Sequence, residues 1–145
     1  MDFFARIPFV EQLRLELVRC DGGHSRLDLE LRDELTNSFE VAHGGVLMTM
    51  LDVAMAHAAR SPDEPGGEPK PGVVTVEMKT SFIRPGEGRL SAIGRVLHRA
   101  RSLVFCEGSI HDAGGGIVAH GTGTFKHLRA LPVGNRQVNA LRGSD

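Results

Sequence analysis

The chain has no tryptophan and no tyrosine, and its seven phenylalanines bring aromatics to only 5 % of 145 residues. Stacking of nucleobases on aromatic platforms has little to draw on, and a formal net charge of −1 offers no basic footprint for nucleic acid or an anionic membrane. Only two cysteines occur, Cys20 and Cys106, far apart and in no metal-type spacing, so a reduced cytoplasmic setting is expected rather than a disulfide framework. No run approaches the ~18 apolar residues of a membrane span. The start, Met1-Asp-Phe-Phe-Ala-Arg-Ile-Pro8, lacks the basic segment and apolar stretch of a secretory leader. None of the seven histidines falls in an H-E-x-x-H or H-x-x-x-H pair, and no G-x-S-x-G occurs, so neither a zinc hydrolase nor a serine hydrolase is indicated.

What is present suits one globular domain with a sizeable core: 41 % hydrophobic and 24 % charged residues. Phe3–Val10 reads as a short N-terminal helix or arm. Leu13, Leu15 and Leu17 alternate with polar neighbours, as do Leu27, Leu29 and Leu31, and Asp21-Gly22-Gly23 between them predicts a hairpin. Thr36–Ala42 is an irregular polar loop. From Gly44 to Arg60 the period changes to helical, with Val46, Leu47, Met50, Leu51, Ala54, Met55 and Ala58 on one broad face. The opposite side is small rather than charged, so this helix is expected to be covered nearly all round. Ser61–Gly72, with four prolines and three glycines, is a loop.

Four strands are predicted after it, Val73–Ile83, Leu90–His98, Leu103–Asp112 and Ile117–Lys126, joined by glycine-rich or arginine-bearing turns. In the first, strict alternation puts Val74, Val76, Met78 and Phe82 on one face and Thr75, Glu77 and Lys79 on the other. One long helix that must be hidden and enough strands to wrap it predict an α+β layer architecture, a curved antiparallel sheet around a central helix. Such an open sheet leaves edges, so self-association is expected. Residues 1–10 would form the arm, 11–128 the domain and 129–145 a polar, frayed tail.

Chemistry concentrates at the start of the long helix. Asp52 is the one carboxylate in a helix otherwise without acids, and a buried charge is costly unless paired or used. Gly44 and Gly45 place bare N–H groups at the helix N-terminus, where negative charge is stabilised. Eight residues separate Gly44 from Asp52, about 12 Å along a helix. One Asp side chain does not bridge that distance, so both can act on one substrate only if they come from different subunits.

The spacing Asn37-x5-His43-Gly44-Gly45-x6-Asp52 resembles the signature of acyl-CoA thioesterases of the phenylacetic-acid-degradation type, which have the hotdog fold. Val73-Val-Thr75-Val-Glu-Met-Lys-Thr-Ser-Phe82-Ile-Arg84-Pro85 and Gly114-Gly-Gly-Ile-Val-Ala119-His-Gly-Thr-Gly-Thr-Phe125 are similar to later strands of that family. The resemblance runs from about residue 10 to residue 128 and implies a homodimer or homotetramer with shared active sites. It implies that Asp52 attacks the thioester or activates water, and that the Gly44 N–H holds the oxyanion. Thr75 would hydrogen-bond or orient the water, and Asn37 and His43 would shape the loop and contact the thioester region. The substrate would be an acyl-CoA, with no metal or redox cofactor.

Many relatives carry a glycine where this chain has Glu40, which bears on the shape of the loop and puts a carboxylate near the pocket mouth. Arg84, Arg99, Arg101 and Lys126, at strand ends or turns, are candidates for coenzyme A phosphates. Two other readings carry weight: a non-catalytic acyl-CoA binder, and an acyl-thioester dehydratase or hydratase built on the same fold.

Overall fold

A computed structural model of the chain describes residues 1–131, 133–134 and 136–138. Its elements are α1 (Pro8–Leu13), β1 (Glu16–Asp21), β2 (His24–Glu30), α2 (Gly44–Arg60), β3 (Val73–Phe82), β4 (Arg89–Arg99), β5 (Leu103–His111) and β6 (Ile117–His127). The six strands form one antiparallel sheet in the order β1-β2-β4-β5-β6-β3. The sheet wraps around α2, which touches every strand. This is the expected hotdog arrangement, with β1 and β3 at its two edges.

Local chemistry accounts for most of the boundaries. The β1–β2 hairpin turns on Gly22 and Gly23, whose φ values of 58° and 80° are open to glycine without strain. α2 begins where His43 leaves extended backbone and caps it, and ends at Ser61, whose neighbour Pro62 disfavours further helix. Between them Met50, Leu51, Ala54, Met55 and Ala58 are fully buried against Leu27, Leu90, Ala92, Ile110, Val118 and Phe125 of the sheet. Burying each large side chain contributes about 1.5–3 kcal/mol.

Helix and sheet meet most closely at Gly94 on β4. A Cβ there would fall inside the contact shell of the Ala54 carbonyl, which also accepts a hydrogen bond from Ser25 Oγ.

Three expectations need correction. The N-terminal helix lies at Pro8–Leu13 rather than at Phe3–Val10, because Pro8 suits the first helical position; Leu13 is therefore helical and not part of the first strand. Strict alternation fails in β3: Thr75 pairs with Phe125 and Glu77 with Thr124, so Val76 is an extra residue in a bulge. The bulge resets the phase, and Thr75 and Met78 both face α2. At the other end, Leu131 bridges to Arg136, so the described part of the C-terminal segment closes a turn rather than fraying. The expected tail beyond 138 lies outside the described residues.

Candidate active site

Asp52 sits at the middle of α2, partly buried among Leu51, Val53, Ala54 and Met55, which are buried. Its Oδ1 accepts a hydrogen bond from Thr75 Oγ1 at 2.6 Å. Burial pushes the Asp52 carboxyl above its ordinary value, and the Thr75 hydroxyl opposes this by favouring the charged form. The result is a carboxylate more basic than a solvated one, oriented by one donor and open to a second partner on its exposed side. That suits proton abstraction or attack on a carbonyl.

The loop leading into α2 is tightly built. Asn37 Oδ1 accepts from the backbone N–H of Phe39 at 2.9 Å and of Val41 at 3.4 Å, and Asn37 N–H bonds back to the Val41 carbonyl at 2.9 Å. Glu40 holds the left-handed conformation, φ 61°, that glycine adopts freely. The loop is thus closed by the same turn a glycine would allow, with the strain left in place; the Glu40 side chain is exposed and makes no part of the cleft wall described below. His43 N–H and Ala42 N–H then bond to the Leu35 and Gly86 carbonyls, each at 2.9 Å, which fixes the entry to the helix.

The two glycines behave differently. Gly45 N–H donates to His43 Nδ1 at 2.9 Å, so this amide is already engaged and is not a free donor for substrate. A Cβ on residue 45 would sit 3.1 Å from that nitrogen, which accounts for glycine there. Gly44 N–H finds no acceptor among the described residues, which makes it the available donor at the positive end of α2. His43 Nδ1 is thereby committed as the acceptor of the Gly45 amide.

Within one chain the arginines expected to meet coenzyme A phosphates lie at opposite ends of α2. Arg84 lies at the Gly44 end of α2, paired to Asp112 and donating from Nε to the Ile117 carbonyl at 3.1 Å. Arg99 reaches the carbonyls of Ala58 and Ala59, at 3.5 and 2.9 Å, and closes the far end of α2. Arg101, in the turn after β4, is exposed at that same far end.

Phe82, in sequence only one of the apolar residues of β3, stands at the site. Its ring lies over Gly44, with Cε1 3.3 Å from where a Cβ would stand. It also lines a cleft of ≈ 350 Å³ with Asn37, Val41, Ala42, Leu47 and Ile83. The signal available was the position of Phe82 at the end of β3, two residues before Arg84-Pro85.

Among the described residues no cluster of three metal-ligating side chains occurs, and no helix is long and apolar enough to cross a membrane.

A helix-borne carboxylate held by a strand hydroxyl, a free amide at the same helix's N-terminus and a sheet wrapped around that helix define a hotdog thioester hydrolase. The family model described as Thioesterase superfamily matches residues 39–119, and the chain belongs to that family. A relative in Saccharolobus solfataricus, provisionally named an esterase, is 31 % identical over 112 residues, covering 77 % of this chain and 71 % of its own length. A medium/long-chain acyl-CoA thioesterase of Salmonella typhimurium is 24 % identical over 136 residues, 85 % of this chain and 87 % of that protein. In fold, the chain is similar to the E. coli PaaI protein of the phenylacetic acid degradation operon. That match has a TM-score of 0.76 at 21 % identity and covers 85 % of this chain and 86 % of the other.

Proposed function

We propose that the protein hydrolyses an acyl-CoA thioester to a carboxylic acid and free coenzyme A, in a site shared by two subunits of a homodimer or of a homotetramer built from such dimers. The observation that carries this reading is the Asp52–Thr75 pair on a helix whose N-terminal Gly44 N–H is unpartnered. Within one chain the two lie about 12 Å apart along the helix axis, too far to act on one carbonyl. The edge strand β3 leaves its outer backbone groups unpaired and exposes Val76 and Phe82, which favours a second copy pairing there. The acyl-CoA name of the Salmonella relative supports the coenzyme A ester as substrate.

In this site the thioester carbonyl accepts from Gly44 N–H of one subunit while Asp52 of the other approaches the carbonyl carbon. Asp52 either adds to the carbon, giving a mixed anhydride that water opens, or takes a proton from the water that adds. In both routes the negative oxygen of the tetrahedral intermediate rests on the helix N-terminus, and its collapse expels the coenzyme A thiolate. A dehydratase needs a histidine free to shuttle protons, whereas His43 Nδ1 is occupied by the Gly45 amide.

The test pairs two variants. Asp52→Asn removes the carboxylate. Gly44→Pro removes the N–H, at a helix position that tolerates proline and after a residue already extended at φ −61°, ψ 137°, while its added ring presses on Phe82, whose Cε1 lies 3.3 Å from a Cβ there. Each homodimer should fail to release thiol from a panel of acyl-CoAs. Subunit exchange between them should restore roughly a quarter of wild-type activity, since half the dimers are mixed and each has one intact site. Exchange without recovery overturns the shared site, and acyl-CoA binding without any wild-type turnover points instead to a binder.

A further inference from the structure

The cleft beside Gly44 has a chemical character of its own. Its volume is ≈ 350 Å³, within the range of small-molecule pockets. Val41, Ala42, Leu47, Phe82, Ile83 and Pro85 give it an apolar wall. Of its lining residues only Arg84 is charged, and that guanidinium is held by Asp112 and the Ile117 carbonyl. Asn37 Oδ1 is likewise consumed, accepting from two backbone amides, which leaves its Nδ2 as a neutral donor in the lining.

The walls are also fixed in place. Ala42 N–H bonds to the Gly86 carbonyl, Ile83 and Arg84 N–H groups bond to the Val118 carbonyl, and Thr36 bridges to Ala42. An open cleft with apolar side chains along one wall and hydrogen-bonded backbone behind them therefore adjoins the unpartnered amide at the helix N-terminus, with a phenyl ring standing over that amide's α-carbon.

We propose that this cleft receives the acyl group of the substrate and that Phe82 is the residue that selects it, admitting uncharged apolar acyl groups, aliphatic or aryl, that end against its ring. The inference rests on the thioesterase reading and adds the substrate class. With the thioester carbonyl on Gly44 N–H, the acyl chain has this recess directly beside it, while the coenzyme A portion extends the other way. An acyl group ending in a carboxylate would have to shed its water in the cleft with no free cation to receive it, since Arg84 is already paired.

The experiment compares wild type with Phe82→Ala and Phe82→Leu on acetyl-, butyryl-, hexanoyl-, octanoyl-, benzoyl-, phenylacetyl- and succinyl-CoA. It reads kcat/KM for each thioester and inhibition by free coenzyme A. Removing the ring should shift preference toward longer or bulkier acyl groups by about tenfold or more relative to butyryl-CoA, the scale set by one or two methylenes in an apolar pocket. Phe82→Leu should fall between the two. Succinyl-CoA should remain poor throughout, and inhibition by coenzyme A, which has no acyl group, should not change.

A uniform loss across the panel, with coenzyme A inhibition weakened in step, would show a structural role only and overturn the proposal. So would efficient hydrolysis of succinyl-CoA by the wild type. If no thioester is turned over, the thioesterase reading itself falls. The cleft is then judged by equilibrium binding of the same panel to Asp52→Asn with and without Phe82→Ala, and an unchanged order of affinities rejects it.

Discussion

Asp52→Asn is expected to abolish activity and, at neutral pH, to make the protein more stable. The native carboxyl is held above its ordinary value by burial, so folding favours the protonated form. Its charge opposes the fold increasingly as pH rises from the ordinary carboxylate range, ~3.9, through the higher folded value. Below that range wild type and variant should match; above it the neutral amide should gain. Asn keeps the acceptor for Thr75 Oγ1, now 2.6 Å from Asp52 Oδ1, so little else is lost.

The cost relieved is that of a partly buried charge with one hydrogen bond, about 1 kcal/mol. For a chain of this size that is a rise of about 3 °C in melting temperature. Losing the base or nucleophile should lower kcat by about 10²–10⁴-fold, or about 3–5 kcal/mol of transition-state stabilisation. Thiol release at saturating acyl-CoA measures the first effect, and melting curves between pH 4 and 8 measure the second. A variant that retains turnover, or one that is less stable than wild type at pH 8 but not at pH 4, would refute the reasoning.

Glu40→Gly should stabilise the protein by about 0.5–1 kcal/mol, because relief of left-handed strain outweighs the added chain entropy; a higher urea midpoint is the check. Gly94→Ala should cost about 3 kcal/mol or more, since the new methyl meets the backbone carbonyl of Ala54 rather than a movable side chain. Its signature is a lowered urea midpoint with an unchanged slope. His57 is buried between Val53 and the rings of Phe3 and Phe4, and burial lowers it from 6.5 to about 4. The native ring stays neutral while the unfolded one takes a proton, so stability should fall as pH drops from 6.5 toward 4, by roughly 3 kcal/mol at the lower end. His57→Leu should remove that part of the acid sensitivity, and parallel pH profiles of the two proteins would contradict it.

Much of this architecture was legible because it is written locally. The change from period two to period 3.6 marked α2 from Gly44 to Arg60, and a two-glycine turn marked the β1–β2 hairpin. Asp52 stood out because a lone acid on a buried helix needs a reason, and Gly44 because a glycine pair at a helix start exposes amides. The start of the N-terminal helix is also local, set by Pro8 at its first position, although the alternation of Leu13, Leu15 and Leu17 reads as strand.

What the sequence by itself determined is therefore the order of elements, the limits of the central helix and the carboxylate and amide it carries, all properties of a few adjacent residues. Only the tertiary structure decided which side chains meet. The bulge at Val76 turns Thr75 toward Asp52, and register in a strand depends on its partner β6, more than forty residues away. Arg84 and Arg99, which the sequence leaves without assigned partners, are engaged by Asp112 and by the end of α2. Phe82 comes to stand over Gly44 because β3 packs across the helix start. Periodicity fixes which face a residue is on, but contact between distant segments is set by strand pairing and packing, which no local pattern encodes.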